Sequence, residues 1–337
     1  MYKIKNLIKI SSLLIVCLLL VTLVGCKGKK AVEKTFPEIV SELNSYILDA
    51  NLETKFPNGS KKCTVKVFFK KPNYYRVELI NSDTNEKQIM IRNDKGVFVI
   101  LPSINKTFKI NSEWPTTSNQ PFLLQSLSND IVSNTDIIKT DNGGSTTLEL
   151  KTKLFNNVEP TKEQIVFNNK TKLPTDIYVY RTNGELFNHV KINNIETNKN
   201  IDENLFIVDN TITSSRLDYI ETEIEFDRSI TYPTFCPSNS KLFQEVITGG
   251  ETNKRAVMKF DGDVSFTLTQ VYVMENENLK SEYFTGDIYV MAGSFALVAN
   301  QTVKFYDLGV EYILASTEVS YEELILVGES LRSSDIK

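Results

Sequence analysis

The chain has 337 residues, 41% of them hydrophobic and 24% charged, with 14 tyrosines and 19 phenylalanines, a composition that excludes disorder as a description of the whole. Its net charge is −4, and more negative once the three lysines of the first nine residues are set aside. That sign excludes nucleic acid as the partner, because neutralising phosphates takes a basic surface. The length suits two domains, and the aromatic and β-branched content favours strands.

Met1 to Lys9 is short and basic, Ile10 to Val24 is apolar, and the small residue Gly25 stands before Cys26, the order of an export signal. The apolar run falls short of the ~20 residues a membrane-spanning helix needs, which weighs against a signal anchor that stays attached. Leu23-Val24-Gly25-Cys26 resembles the lipobox of bacterial lipoproteins. The resemblance implies a diacylglycerol on the Cys26 sulfur and cleavage before it, so residues 1–25 read as signal peptide and 26–34 as a lipidated tether. The lysines of that tether favour an anionic lipid surface. The expected location is therefore the extracytoplasmic face of the cell membrane, with the protein lipid-anchored. Cys17 leaves with the leader, and Cys63 and Cys236 remain. They either bridge the two halves as a disulfide or are separately buried. One histidine, His189, and no CxxC leave no basis for a metal site, and no cofactor is expected.

From Phe36 the apolar residues Phe36, Ile39, Val40, Leu43, Tyr46, Ile47 and Ala50 recur at spacings of three and four, which predicts a helix with Thr35 at its start. After Gly59 the period drops to two. Cys63 to Lys70 and Tyr75 to Leu79 read as an antiparallel pair turned at Lys71-Pro72-Asn73. Gln88 to Asn93 and Val97 to Leu101 follow, reversed at Asn93-Asp94-Lys95-Gly96, and Asn105 to Ile110 is a fifth strand. Gln120 to Ile138 reads as one or two helices. Strands return at 146–152, 163–168, 174–180 and 185–194, the last two joined through Asn183-Gly184. Beyond Asp209, Ser214 to Phe226 pairs or bridges, and 260–275, 283–290, 295–305 and 310–315 are strands. A closing helix covers Val319 to Leu331 with Ser320 as its cap.

The first domain resembles the lipoprotein-carrier fold, the LolA/LolB-like half-barrel, through Phe69 to Glu78, Asn93 to Phe108, and Leu173 to Phe206 with Pro174, Gly184, Ile201-Asp202 and Leu205-Phe206. Among exported lipoproteins it is most similar to the clostridial germination lipoproteins related to GerS. The C-terminal part resembles the small domain of DUF4367-type and RseB-like envelope proteins through Glu311 to Leu314, Ser320 to Leu324 and Glu329 to Leu331. The resemblance implies an α+β fold: a curved antiparallel half-barrel sheet packed on helices over 35–209, then a smaller α+β domain over 210–337. It also implies an apolar concave face that holds acyl chains in carriers. In GerS-like proteins it implies an adaptor that activates a cell-wall amidase for spore cortex modification and germination.

Few residues carry chemistry of their own. His189 lies in a strand with no nucleophile beside it, and Asp261-Gly262-Asp263 reads as a turn before it reads as paired carboxylates. No phosphate-binding glycine loop occurs. Lys70, Lys71, Tyr74, Tyr75 and Arg76 mix charge with aromatics as sugar- or nucleic-acid-binding surfaces do, and otherwise form a solvated turn whose tyrosines partly pack. The expected function is thus non-enzymatic binding, with a cell-wall amidase or an envelope regulator as partner. The alternative is an RseB-like envelope sensor whose groove takes an acyl or lipoprotein ligand. An enzyme acting on wall polymer is the third reading.

Overall fold

Helix α1 (Phe36–Glu42) is about two turns long, and the chain is already extended by Ser45, where β1 (Ser45–Phe56) begins. The predicted helix over Phe36–Ala50 is therefore too long. Tyr46 and Ala50 fit a helical and a strand period alike, but Leu48 and Leu52 fit only the period of two, and all four are buried. Strand pairing on both edges, with β2 (Gly59–Lys70) and β11 (Leu186–Thr197), settles the choice. This computed structural model describes residues 34–114, 120–153, 161–222, 229–250, 253–273 and 280–333. Residues Phe36–Lys337 form one compact unit. The signal peptide, Cys26 and the tether up to residue 33 lie outside the described residues.

Between β2 and β11 the chain runs through β3 (Tyr74–Asn81), β4 (Lys87–Asn93), β5 (Gly96–Leu101), β6 (Lys106–Asn111), α2 (Leu124–Ser133), β7 (Ile138–Asp141), β8 (Ser145–Thr152), β9 (Thr161–Asn168) and β10 (Pro174–Tyr180). The helical stretch expected over 120–138 is confined to α2, and Ile138 starts a strand instead. After β11 come α3 (Val208–Thr222), β12 (Thr231–Pro233), β13 (Lys241–Thr248), β14 (Arg255–Asp261), β15 (Phe266–Tyr272), β16 (Lys280–Thr285), β17 (Asp287–Val290), β18 (Phe295–Ala299), β19 (Thr302–Asp307), β20 (Val310–Ala315), α4 (Tyr321–Glu329) and β21 (Leu331–Ser333). Segment 214–226 reads as pairing or bridging, whereas its described part is helical. No helix among the described residues is long and apolar enough to cross a membrane.

The strands make a large sheet ordered β16-β6-β5-β4-β3-β2-β1-β11-β10-β9-β8-β7, a second sheet ordered β13-β14-β15-β20-β19-β18-β17, and the small pair β12-β21. Every pairing is antiparallel except β16 with β6, where the C-terminal part returns one strand to the edge of the first sheet. The fold class is α+β, a curved antiparallel sheet with few helices and a second sheet after it. Alternation sends Leu48, Val65, Val67, Val77, Leu79, Met90, Ile177 and Val179 to one face, each fully buried. That apolar face is covered. Trp114, Phe122, Leu124 and Leu127 and the second sheet share one hydrophobic cluster with it. On the opposite face Ile89, Ile91 and Ile100 pack against Val208 and Ile212 of α3.

The two sheets meet through polar groups as well. Gln88, fully buried on β4, donates to the Tyr306 carbonyl at 2.8 Å and accepts from the Phe295 amide at 3.0 Å. Glu86 accepts from the Ser103 hydroxyl at 2.6 Å and the Leu308 amide at 2.7 Å. Gly293, at φ +102°, brings the β17–β18 turn so close that a Cβ there would stand 2.8 Å from Asn81 Cβ. At the other end of the second sheet, Asp261-Gly262-Asp263 is the β14–β15 turn. A Cβ on Gly262 would meet the Asn239 carbonyl at 2.8 Å, so the glycine serves close packing. Ser320 caps α4, its hydroxyl accepting from the Glu323 amide at 3.3 Å in a capping box.

Candidate functional site

The β2–β3 turn carries the five residues read as one surface, and the strand period divides them. Tyr75 points into the core, 3% exposed, edge-on to Trp114 with ring centres 5.4 Å apart. Burial raises its phenol pKa to about 12. Arg76 points to the opposite face and is 7% exposed. Its Nε donates to Glu78 Oε1 at 2.6 Å, and its Nη1 donates to the Leu205 carbonyl at 3.1 Å and Thr211 Oγ1 at 2.7 Å. Tyr75 and Arg76 are therefore structural, which corrects their assignment to a ligand surface. Arg76 staples α3 and the preceding turn to β3. Arg76→Ala is expected to cost about 2 kcal/mol, because it removes a largely buried charged pair and two further hydrogen bonds. Amide exchange across residues 208–215 should accelerate; unchanged exchange there would show that Arg76 holds nothing in place.

Lys70, Lys71 and Tyr74 do share a cavity, of about 300 Å³, with Asp94, Lys95, Glu203, Phe206 and Ile207. Lys70 Nζ is 2.5 Å from Glu203 Oε1, Lys71 Nζ donates to the Ser41 carbonyl of α1 at 2.8 Å, and the Tyr74 hydroxyl donates to Asp94. That bond to Asp94 raises the Tyr74 pKa. A second cavity, of about 370 Å³, lies under α3 and shares Asn93, Lys95 and Ile207 with the first. Lys109 sits there with its Nζ 5.7 Å from the Phe98 ring centre and 6.0 Å from that of Tyr283, which is 84% exposed. Asp94, Lys95, Glu203 and Ile207 carried no functional signal in the sequence, where they read as a hairpin reversal and the end of a domain. Only the register of β3 against β4 and the return of the chain before α3 bring them to Tyr74. The result is a mixed-charge, partly apolar shelf suited to binding.

The remaining chemical candidates are committed to structure. His189 Nε2 lies 3.1 Å from Asp176 Oδ1, and its ring stacks on Tyr178 at 4.4 Å. Cys63 and Cys236 are free thiols; the disulfide between them is absent. Burial raises both pKa values, far for Cys63 and to about 11 for Cys236, so neither is a thiolate nucleophile at neutral pH. Asp130 on α2 accepts from Thr152 Oγ1 at 3.1 Å, and burial lifts its pKa to about 6. Among the described residues no group of three or more His, Cys, Asp or Glu is placed to hold a metal ion.

A family model described as sporulation protein YdcC-like matches residues 4–206. The chain belongs to the YdcC-like sporulation protein family. Its similarity to the sporulation protein YdcC of Bacillus subtilis strain 168 runs well past the family model: the two are 28% identical over 324 residues, 96% of each chain. Among solved structures, this YdcC-like chain is similar to MucB in the Pseudomonas aeruginosa MucA/MucB complex. The identity is 12% over 88% of this chain and 98% of that one, with a TM-score of 0.32. A LolA superfamily protein from Nitrosomonas europaea is 12% identical over 52% of this chain and 99% of that one, with a TM-score of 0.31.

Proposed function

We propose that this YdcC-like protein is a lipid-anchored, extracytoplasmic adaptor that acts by protein contact, supporting a cell-wall amidase in spore cortex modification and germination. The observation that carries the adaptor reading is the filled apolar face of the first sheet. Core side chains and the second sheet occupy the place where a carrier of this fold class would keep an acyl chain, so an acyl ligand would first have to displace them. Membership in a sporulation family supports the setting, the Leu23 to Cys26 lipobox supports the anchor, and the resemblance to germination lipoproteins supports the amidase.

The anchor is tested by Cys26→Ala, which is expected to move the protein from the membrane pellet to the soluble fraction and to abolish labelling by a palmitate analogue. Retention in the pellet with the label still incorporated would remove the lipid anchor. Two acyl chains hold stably where one would not. Purification from sporulating cells of the source organism is expected to bring down a wall amidase, and a deletion to deplete muramic-lactam from the cortex. A normal cortex with no amidase recovered would remove the adaptor reading.

A further inference from the structure

Among the described residues, eight large hydrophobics are exposed, and four of them, Leu242, Phe243, Val246 and Ile247, lie on the single strand β13. Among the described residues this strand ends its sheet and pairs with β14 alone. Soluble proteins usually shield such an edge with charge, proline or a covering segment, because its open row of backbone donors and acceptors invites another strand. Here the strand carries a bulge at Phe243, where the register against β14 shifts, and two charges, Lys241 and Glu245, the latter accepting from the Tyr232 hydroxyl at 2.8 Å. Its four exposed hydrophobics stay uncovered.

The two faces of β13 differ. Leu242, Glu245 and Ile247 stand opposite the buried Phe260, Met258 and Ala256, so they share the core side of the sheet yet overhang it. On the outer side Gln244, Val246 and Thr248 stand opposite Lys259, Val257 and Arg255, and the Lys259 ammonium lies 5.4 Å from the Phe243 ring centre. The outer side is thus basic at Lys259 and Arg255 around an apolar centre, with Lys241 set opposite Asp261 at its far end.

We propose that β13 is the docking edge for an extended segment of a partner protein, added as a further strand with apolar residues toward the core side and acidic residues toward Lys259 and Arg255. Strand addition meets the open edge with main-chain hydrogen bonds and leaves alternate side chains to set specificity. A second copy of this chain fits less well. A two-fold axis through paired β13 strands sets the Lys259 and Arg255 rows of both copies on one face, where like charges repel.

This inference rests on the adaptor reading, and its test separates the two. Eight-residue peptides alternating valine with glutamate or valine with lysine are titrated into the full chain in detergent. The glutamate peptide should bind at least about tenfold more tightly than the lysine peptide and protect the amides of residues 241–248 from exchange. Phe243→Glu, at an exposed position, should weaken it about tenfold with an unchanged melting temperature, and Lys259→Glu should reverse the preference. Equal binding of the two peptides, or no protection of 241–248, overturns the proposal. So does a dimer that Phe243→Glu abolishes and the peptides do not dissociate. In sporulating cells, an amidase still retained by Phe243→Glu overturns the docking edge and leaves the adaptor standing. An amidase absent from the wild-type purification removes the adaptor, and the peptide result alone then decides the edge.

Discussion

Gln88→Ala is expected to destabilise the protein by about 3 kcal/mol or more, lowering the melting temperature by roughly 5–10 °C. Gln88 is fully buried on β4, and its amide joins the two sheets by giving one hydrogen bond to Tyr306 and taking one from Phe295. Truncation leaves a buried carbonyl and a buried N–H without that partner, each costing about 1–3 kcal/mol, and opens a void besides. Gln88→Met fills the void but restores neither bond, so it should recover only part of the loss. The measurement is denaturant unfolding monitored by fluorescence. A shift within 1 kcal/mol for Gln88→Ala would mean that the sheets do not depend on this bridge.

Stability should fall as pH rises from about 4.5 to about 8, and Glu86 should account for a large part of the fall. Its carboxyl is buried at the same seam and faces Asp307, which itself pairs with Lys61 at 3.8 Å. Burial first, and Asp307 second, raise its pKa from 4.5 to about 8. A folded-state pKa above the unfolded one means that the folded chain holds a proton the unfolded chain releases. Its stabilising contribution is complete below the unfolded value and is lost as pH climbs through the folded one. The expected loss is a few kcal/mol between pH 5 and pH 9. Asp130, raised to about 6, adds to it in the lower part of that range. Glu86→Gln keeps a neutral donor facing Asp307 and should flatten the profile. Parallel wild-type and variant profiles would exclude Glu86 as the titrating group.

Local chemistry was legible wherever neighbours in sequence are also neighbours in space. The reversals at Lys71-Pro72-Asn73, Asn93 to Gly96 and Asn183-Gly184 all stand, as does Ser320 as a cap, because each rests on a few residues and their own backbone. Legibility failed where two periods coincide or where pairing decides. Tyr46 and Ala50 satisfy a helix and a strand equally, and only the pairing of β1 on both edges discriminates. β13 is not legible as a strand, since its apolar residues follow neither a helical stripe nor a clean alternation across the bulge.

By itself, the sequence determined the α+β class, the alternating apolar faces of the first sheet and the absence of an obvious catalytic motif, all properties of composition and short spacing. Tertiary structure alone decided what those faces touch. Whether an apolar sheet face is a groove or a core depends on what shares its hydrophobic cluster, here Trp114, Phe122, Leu124 and Leu127 and residues of a second sheet that the chain forms a hundred residues and more later. Whether Tyr74, Tyr75 and Arg76 act together depends on the pleat, which sends the middle one inward and leaves only Tyr74 at the shelf. Burial is a property of long-range pairing, and no local spacing encodes it.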